Sequence, residues 1–200
     1  LGEKQSRARA RIKFLVQKVG IDEFKKLVAE EREGLRPDPR WTAFLDDLHS
    51  TDEKPIRDSG PLPADAPAGF QKWAKHNLKP QAQVGYYSAI VKLPLGDFTS
   101  AQGRALADLA REYTGDAIRC TVEQNLTFRW LSGADAPAFY ERLVALKMAE
   151  AGAGTITDMT SCPGTDTCKL GISASRGVTG ELRKRLTVVE DQLNPAVTSL

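Results

Sequence analysis

Val84-Gly85-Tyr86-Tyr87-Ser88-Ala89-Ile90-Val91-Lys92-Leu93-Pro94-Leu95-Gly96 is the stretch whose reading decides the fold. Its β-branched and aromatic residues predict a strand over Val84 to Leu93, and Pro94-Leu95-Gly96 predicts the turn that ends it. Thr99 and Gln102 then stand at capping-box spacing, and Leu106, Leu109 and Ala110 supply the buried stripe of a helix that runs up to Gly115. Two short strands follow, Ala117 to Val122 and Leu126 to Leu131, around the polar Glu123-Gln124-Asn125. Asp135 to Ala149 reads as a second helix with Phe139, Leu143 and Leu146 inward. Strand, helix, strand, strand, helix is the order of a split βαβ, ferredoxin-like half-domain with an antiparallel sheet, so the expected class is α+β. A last strand is expected near Thr155 to Met159, and Lys169 to Gln192 reads as largely helical with an interruption around Gly177.

Upstream of this block, Ile12, Leu15, Val16 and Val19, then Phe24, Leu27 and Val28, recur at helical spacing between Gln5 and Glu33. They predict one amphipathic helix, or two separated near Gly20. Arg7, Arg9, Arg11 and Lys13 form a basic cluster best read as a solvated helix face. Gly34 and Pro37 stop the helix, and Trp41, Phe44, Leu45 and Leu48 suggest a short one after it. Ser50 to Gly69 is rich in Pro, Asp and Ala without a period, so residues 50–69 are expected to be a linker.

Composition narrows the function classes. With 28 Lys and Arg against 26 Asp and Glu, overall charge makes no case for nucleic acid or a membrane surface. No apolar run approaches the roughly 18 residues of a membrane span, and no secretory leader opens the sequence, so a cytoplasmic location is expected. Three cysteines are too few for a disulfide framework in 200 residues and suit thiols that serve metals or packing. The absence of an opening Met and the Asn194–Leu200 end suggest a piece of something longer.

The chemistry concentrates in Thr160-Ser161-Cys162-Pro163-Gly164-Thr165-Asp166-Thr167-Cys168-Lys169-Leu170-Gly171. Thiolates are the soft ligands of iron-sulfur clusters and zinc, and a Pro-Gly pair bends the chain between these two. A cubane cluster or structural zinc needs about four ligands, so the pair is half a site. The remaining Cys120 alternates away from Arg119 and Thr121 and is expected to be a small buried hydrophobe. His49 and His76 have no partner motif, and Trp73 reads as a packing anchor.

Trp73, Asn77 and Gln81, then Val91-Lys92-Leu93-Pro94-Leu95-Gly96, a helix, Arg119-Cys120-Thr121-Val122-Glu123-Gln124-Asn125-Leu126, another helix and the Cys-Pro-Gly loop form a series. It resembles the sirohaem-dependent nitrite and sulfite reductases across most of residues 1 to 192. The resemblance implies that residues 1–49 end a first repeat and that 70–150 form the ferredoxin-like half-domain of a second. Residues 151–200 would begin an α/β sirohaem and 4Fe-4S domain. It further implies six-electron reduction of sulfite to sulfide or nitrite to ammonia, at a sirohaem coupled to a 4Fe-4S cluster and fed by a donor such as ferredoxin or a flavoprotein. Cys162 and Cys168 are the implied first two cluster ligands. The family's later Cys-x3-Cys pair is absent from these 200 residues, so this chain alone is expected to be inactive. Arg119, Thr121, Gln124 and Asn125 are implied at the cofactor interface, where fork and amide donors suit a carboxylate-rich macrocycle. No catalytic residue is assigned, because the family's substrate-binding basic side chains lie mainly in its first repeat.

The residues alone leave other readings open. Gln124 and Asn125 also fit a polar hairpin turn beside an exposed Arg119, and Arg129 fits an outward surface position. Lys169, Ser173, Ser175 and Arg176 fit either a site for an anionic cluster or carboxylate at a helix start or a solvated first turn. The competing functions are a ferredoxin-like partner-binding module and a thiol redox switch using Cys162 and Cys168. Separated from a first repeat, the chain is expected to self-associate.

Overall fold

The structure is a computed structural model describing residues 10–49, 52–189 and 192–193. The chain divides into two units between Asp52 and Glu53. In the first, α1 (Ile12–Val19) and α2 (Ile21–Gly34) are followed by the single turn α3 (Ala43–Asp46). Gly20 between the first two has φ +82°, a left-handed conformation that glycine adopts at little cost, so the apolar period belongs to two helices. None of the residues in these helices is buried. Arg11 and Lys13 are exposed, while the expected helical start at Gln5 and the basic residues Arg7 and Arg9 lie outside the described residues.

The second unit runs α4 (Ala68–Asn77), β1 (Leu78–Pro80), β2 (Tyr86–Val91), α5 (Ser100–Tyr113), β3 (Arg119–Cys120), β4 (Leu126–Ser132), α6 (Ala136–Ala145) and α7 (Ser175–Val189). The sheet order is β1-β2-β4-β3, and every neighbouring pair is antiparallel. β2 and β3 therefore run parallel with β4 inserted between them and α5 as the crossover, which is the split βαβ arrangement of a ferredoxin-like half-domain. β3 is shorter than expected: after Cys120 the chain turns through residues 121–125, and Gln124 takes φ +62°.

Two local features shape the sheet. Tyr87 faces Leu131 but Ala89 faces Phe128, so β4 carries one extra residue against Ser88. Trp130 at φ +63° absorbs it. This bulge shifts the alternation by one, so Phe128 and Leu131 both reach the core with 0% exposure. At the sheet's edge, β1 pairs with β2 from Leu78↔Ala89 to Pro80↔Tyr87. The expected strand near Thr155 to Met159 is reduced to a single bridge residue, Thr155, between two turns, with Thr155 and Thr157 buried. The Thr155 and Thr157 hydroxyls bond each other at 3.0 Å, and Asp158 N donates to the Thr155 carbonyl at 2.9 Å, so the segment folds back on itself.

α4, α5 and α6 meet over the sheet. Phe139 of α6 stacks edge-on against Phe128 and Tyr113, with ring centroids 5.2 and 5.7 Å away, and lies 6.5 Å from Trp73 of α4. Trp73 is 1% exposed, the anchor expected of it. Residues 53–67 carry no helix or strand, yet they are fastened to this body. Arg57 Nε donates to the Glu112 carbonyl at 2.8 Å, and Tyr86 Oη donates to the Arg57 carbonyl at 2.8 Å. A Cβ on Gly133 would stand 2.5 Å from the Gly60 carbonyl oxygen, so only glycine lets that segment pass so closely.

Thr99 and Gln102 form the expected capping box: Gln102 N donates to Thr99 Oγ1 at 3.2 Å, and Thr99 N donates to Gln102 Oε1 at 2.9 Å. Thr99→Ala is expected to lower stability by about 1 kcal/mol, read as a shift in the urea midpoint, while Thr99→Ser is expected to retain most of it. α7 begins at Ser175, later than the expected Lys169, and passes through Gly177 without a break.

Candidate functional site

The cysteine loop is built by backbone bonds that close on themselves. Cys168 N donates to the Gly164 carbonyl at 3.0 Å, Thr165 N to the Ser173 carbonyl at 3.2 Å and Gly171 N to the Cys168 carbonyl at 2.9 Å. Gly164 sits at φ +55°, and a Cβ there would stand 2.7 Å from the Ser173 carbonyl oxygen and 2.8 Å from Ser175 N. Glycine is thus required on both conformational and steric grounds. Cys162 and Cys168 are both exposed and unoxidised on this loop. Cys162 Sγ lies 3.4 Å from Ser175 Oγ, at the start of α7. The Ser175 hydroxyl, then the Gly164 backbone N–H, hold the Cys162 thiol below its ordinary value, with desolvation opposing weakly.

Gln124 and Asn125 hold the chain that leads into this loop. Gln124 Nε2 donates to the Ser161 carbonyl at 2.9 Å, and Ser161 N donates back to Gln124 Oε1 at 3.2 Å. Asn125 is 2% exposed. Its Oδ1 accepts from Leu93 N at 2.8 Å, and its Nδ2 donates to both Asp158 carboxylate oxygens at 3.0 and 2.9 Å. Thr121 Oγ1 accepts from Asn125 N at 3.3 Å and so closes the turn. Asp158 and Ser161 are the partners that reading the sequence missed. No periodic or spacing signal marks them, because their roles exist only across 33 and 37 residues of chain.

Arg119 pairs with Glu53, which also faces Arg129 at 3.7 Å. Arg176 donates to the Leu95 carbonyl at 3.2 Å, pairs with Asp97 and lies 3.5 Å from Asp166. Between Leu95–Phe98, the Gln124 turn, Ser161, Pro163 and Arg176 lies a mostly apolar cleft of about 330 Å³, and Cys120 lines it. Cys120 is therefore exposed, contrary to the expectation that it is buried. β3 is a two-residue edge strand with both residues exposed, and Cys120 faces the cleft and not the core, so alternation did not translate into burial.

The donor set fits half of a four-thiolate centre. Among the described residues no group of three or more His, Cys, Asp or Glu side chains is placed to hold a metal ion. The guanidinium groups nearest the cleft and the 119–125 turn are paired with carboxylates of the same chain, so these residues do not by themselves complete a cradle for an anionic macrocycle. No helix among the described residues is long and apolar enough to cross a membrane.

Residues 79–146 match the nitrite/sulfite reductase ferredoxin-like half domain. A ferredoxin–nitrite reductase of Synechococcus elongatus is 24% identical over 86% of the chain and 29% of its own length. Sulfite reductase [ferredoxin] 2 of Mycolicibacterium paratuberculosis is 26% identical over 98% of the chain and 32% of its own length. The chain thus spans about a third of these relatives. The structure of the Mycobacterium tuberculosis NirA protein shares the fold, with a TM-score of 0.57 at 23% identity over 96% of the chain and 31% of NirA. Residues 79–146 are thus a nitrite/sulfite reductase ferredoxin-like half domain, in a chain that is similar over most of its length to nitrite and sulfite reductases.

Proposed function

We propose that this chain serves a six-electron reductase of sulfite or nitrite, in which Cys162 and Cys168 are two of the four thiolate ligands of a 4Fe-4S cluster coupled to sirohaem. The observation that carries the proposal is the pair of exposed thiols on one closed loop, fastened by Gln124 and Asn125 to a reductase half-domain. A four-thiolate site needs two ligands besides Cys162 and Cys168, and Cys120 is the one other cysteine of these 200 residues. When bound, the cluster and sirohaem supply the electron transfer and the site of anion reduction. This chain's own residues orient the loop, where Thr121 and Asn125 brace the turn and Gln124 grips Ser161, and the segment Arg119–Asn125 would border the macrocycle. A ferredoxin is the donor proposed, as the names of both relatives suggest, and the reducing cytoplasm is the compartment that keeps both thiols free. Expressed alone, the chain self-associates through apolar side chains such as Leu170 and Ile172, which are 89% and 99% exposed.

In the complete reductase, Cys162→Ala and Cys168→Ala are each expected to abolish the iron-sulfur absorption and lower bound iron by about four atoms per chain, the content of one cubane. Retention of iron and cluster absorption in either variant sinks the ligand assignment. The thiol-switch alternative predicts instead an unchanged cluster and a disulfide between the two residues under mild oxidation.

A further inference from the structure

We infer that Gln124 is a positioning residue: its side-chain amide clamps the peptide of Ser161 and thereby fixes where the Cys162 sulfur stands. The inference rests on the reading of Cys162 as a cluster ligand. The geometry is reciprocal. One amide group donates to the Ser161 carbonyl at 2.9 Å and accepts from the Ser161 N–H at 3.2 Å, so both backbone polar groups of the residue preceding Cys162 are satisfied by a single side chain, while its hydroxyl donates to the Cys162 carbonyl at 2.9 Å. A two-point grip fixes orientation as well as distance, which one hydrogen bond does not.

The clamp has a second tie. Asn125 holds Asp158 with two bonds and Leu93 N with a third, so consecutive residues of one turn grip positions 158 and 161 of the approaching segment. Gln124 reaches outward because its φ is +62°, whereas buried Asn125 points back toward Leu93. Downstream of Cys162 the loop is held by Gly164 and the start of α7. Upstream, the described residues offer the Ser161 backbone no other side-chain partner. Gln124 is itself exposed, so its contribution is this grip and not core packing.

The test uses Gln124→Asn and Gln124→Glu in the complete, cofactor-loaded reductase. Asparagine tolerates a left-handed backbone but is one methylene too short to reach both Ser161 groups. Glutamate keeps the length and the acceptor for Ser161 N–H but loses the donor to the carbonyl. Hydrogen exchange of the peptide containing Ser161 is expected to quicken about tenfold in Gln124→Asn, the size expected for losing two neutral hydrogen bonds, and less in Gln124→Glu. Loss of the cluster to a chelator is expected to quicken in the same order, with protection at Phe128 to Leu131 unchanged. Unchanged exchange at Ser161 overturns the clamp, and faster exchange with an equally resistant cluster overturns its positioning role. Failure of the function reading is seen separately, as a cluster that survives Cys162→Ala.

Discussion

Phe139→Ala is expected to destabilise the half-domain by about 3–5 kcal/mol, the range for deleting a buried aromatic ring. Phe139 has 0% exposure and is in ring contact with three other elements at once: Trp73 on α4, Tyr113 on α5 and Phe128 on β4. Its loss leaves a cavity walled by large rings seated on separate elements, which limits how far the site can collapse. Edge-to-face contacts with Tyr113 and Phe128 add about 0.5–1.5 kcal/mol per pair beyond area burial. Phe139→Leu keeps much of the volume and is expected to cost less than half as much. Val144→Ala, on the same helix but 44% exposed, serves as the near-neutral control. Urea unfolding followed by circular dichroism measures all three, and a Phe139→Ala cost below about 1 kcal/mol would refute this account of the core.

Glu150→Gln is expected to cost about 2–3 kcal/mol at pH 7, and the cost is expected to vanish in acid. Lys92, whose side chain is only 2% exposed, places Nζ 2.9 Å from Glu150 Oε1, 3.1 Å from Thr157 Oγ1 and 3.3 Å from the Ala151 carbonyl. Arg183 of α7 pairs with the other Glu150 oxygen. Removing the carboxylate leaves a buried ammonium without a countercharge, the expensive way to break an ion pair. The 36% exposure of Glu150 and the two remaining partners of Lys92 keep the figure below the full range for a dry pair. Burial pushes the Glu150 carboxyl up, but the Lys92 hydrogen bond and charge, followed by Arg183, outweigh it and hold the group below its ordinary 4.5. A carboxylate depressed on folding contributes stability that is present above its unfolded value and lost as pH falls through the folded one. The gap between the natural chain and Glu150→Gln should therefore be full above about pH 5.5 and close progressively below 4.5. Lys92→Met removes the buried charge itself and leaves Glu150 with Arg183, so its cost is expected to be smaller. A pH-independent difference between the natural chain and Glu150→Gln would show that the ion triad is not what the substitution disturbs.

The triad also explains how α7 is tied to the half-domain. Arg183 meets Glu150 just beyond α6, while Arg176 meets Asp97 and the Leu95 carbonyl beyond β2. Two arginines on one helix thus tie it to the segments that follow β2 and α6. Both were available in the sequence as charges, but charge pattern does not say which carboxylate, some 33 or 79 residues away, will be the partner.

The sequence by itself determined the elements whose information is local. β-branched and aromatic enrichment marked β2, the Thr99 and Gln102 spacing marked the start of α5, and helical periodicity placed Phe139 and Leu143 inward. The Cys-x5-Cys spacing marked the chemistry. α4 and β1 went unread, because Ala68–Asn77 carries few apolar residues and β1 is only three residues long. Only the tertiary structure decided that β1 takes a sheet edge, that Trp130 shifts the phase of β4, and that Cys120 opens onto a cleft. It alone brought Gln124 to Ser161 and Asn125 to Asp158. The physical reason is one of range: side-chain periodicity is fixed within one element, whereas edge occupancy and two-point hydrogen bonds are settled only when distant segments compete for the same partner.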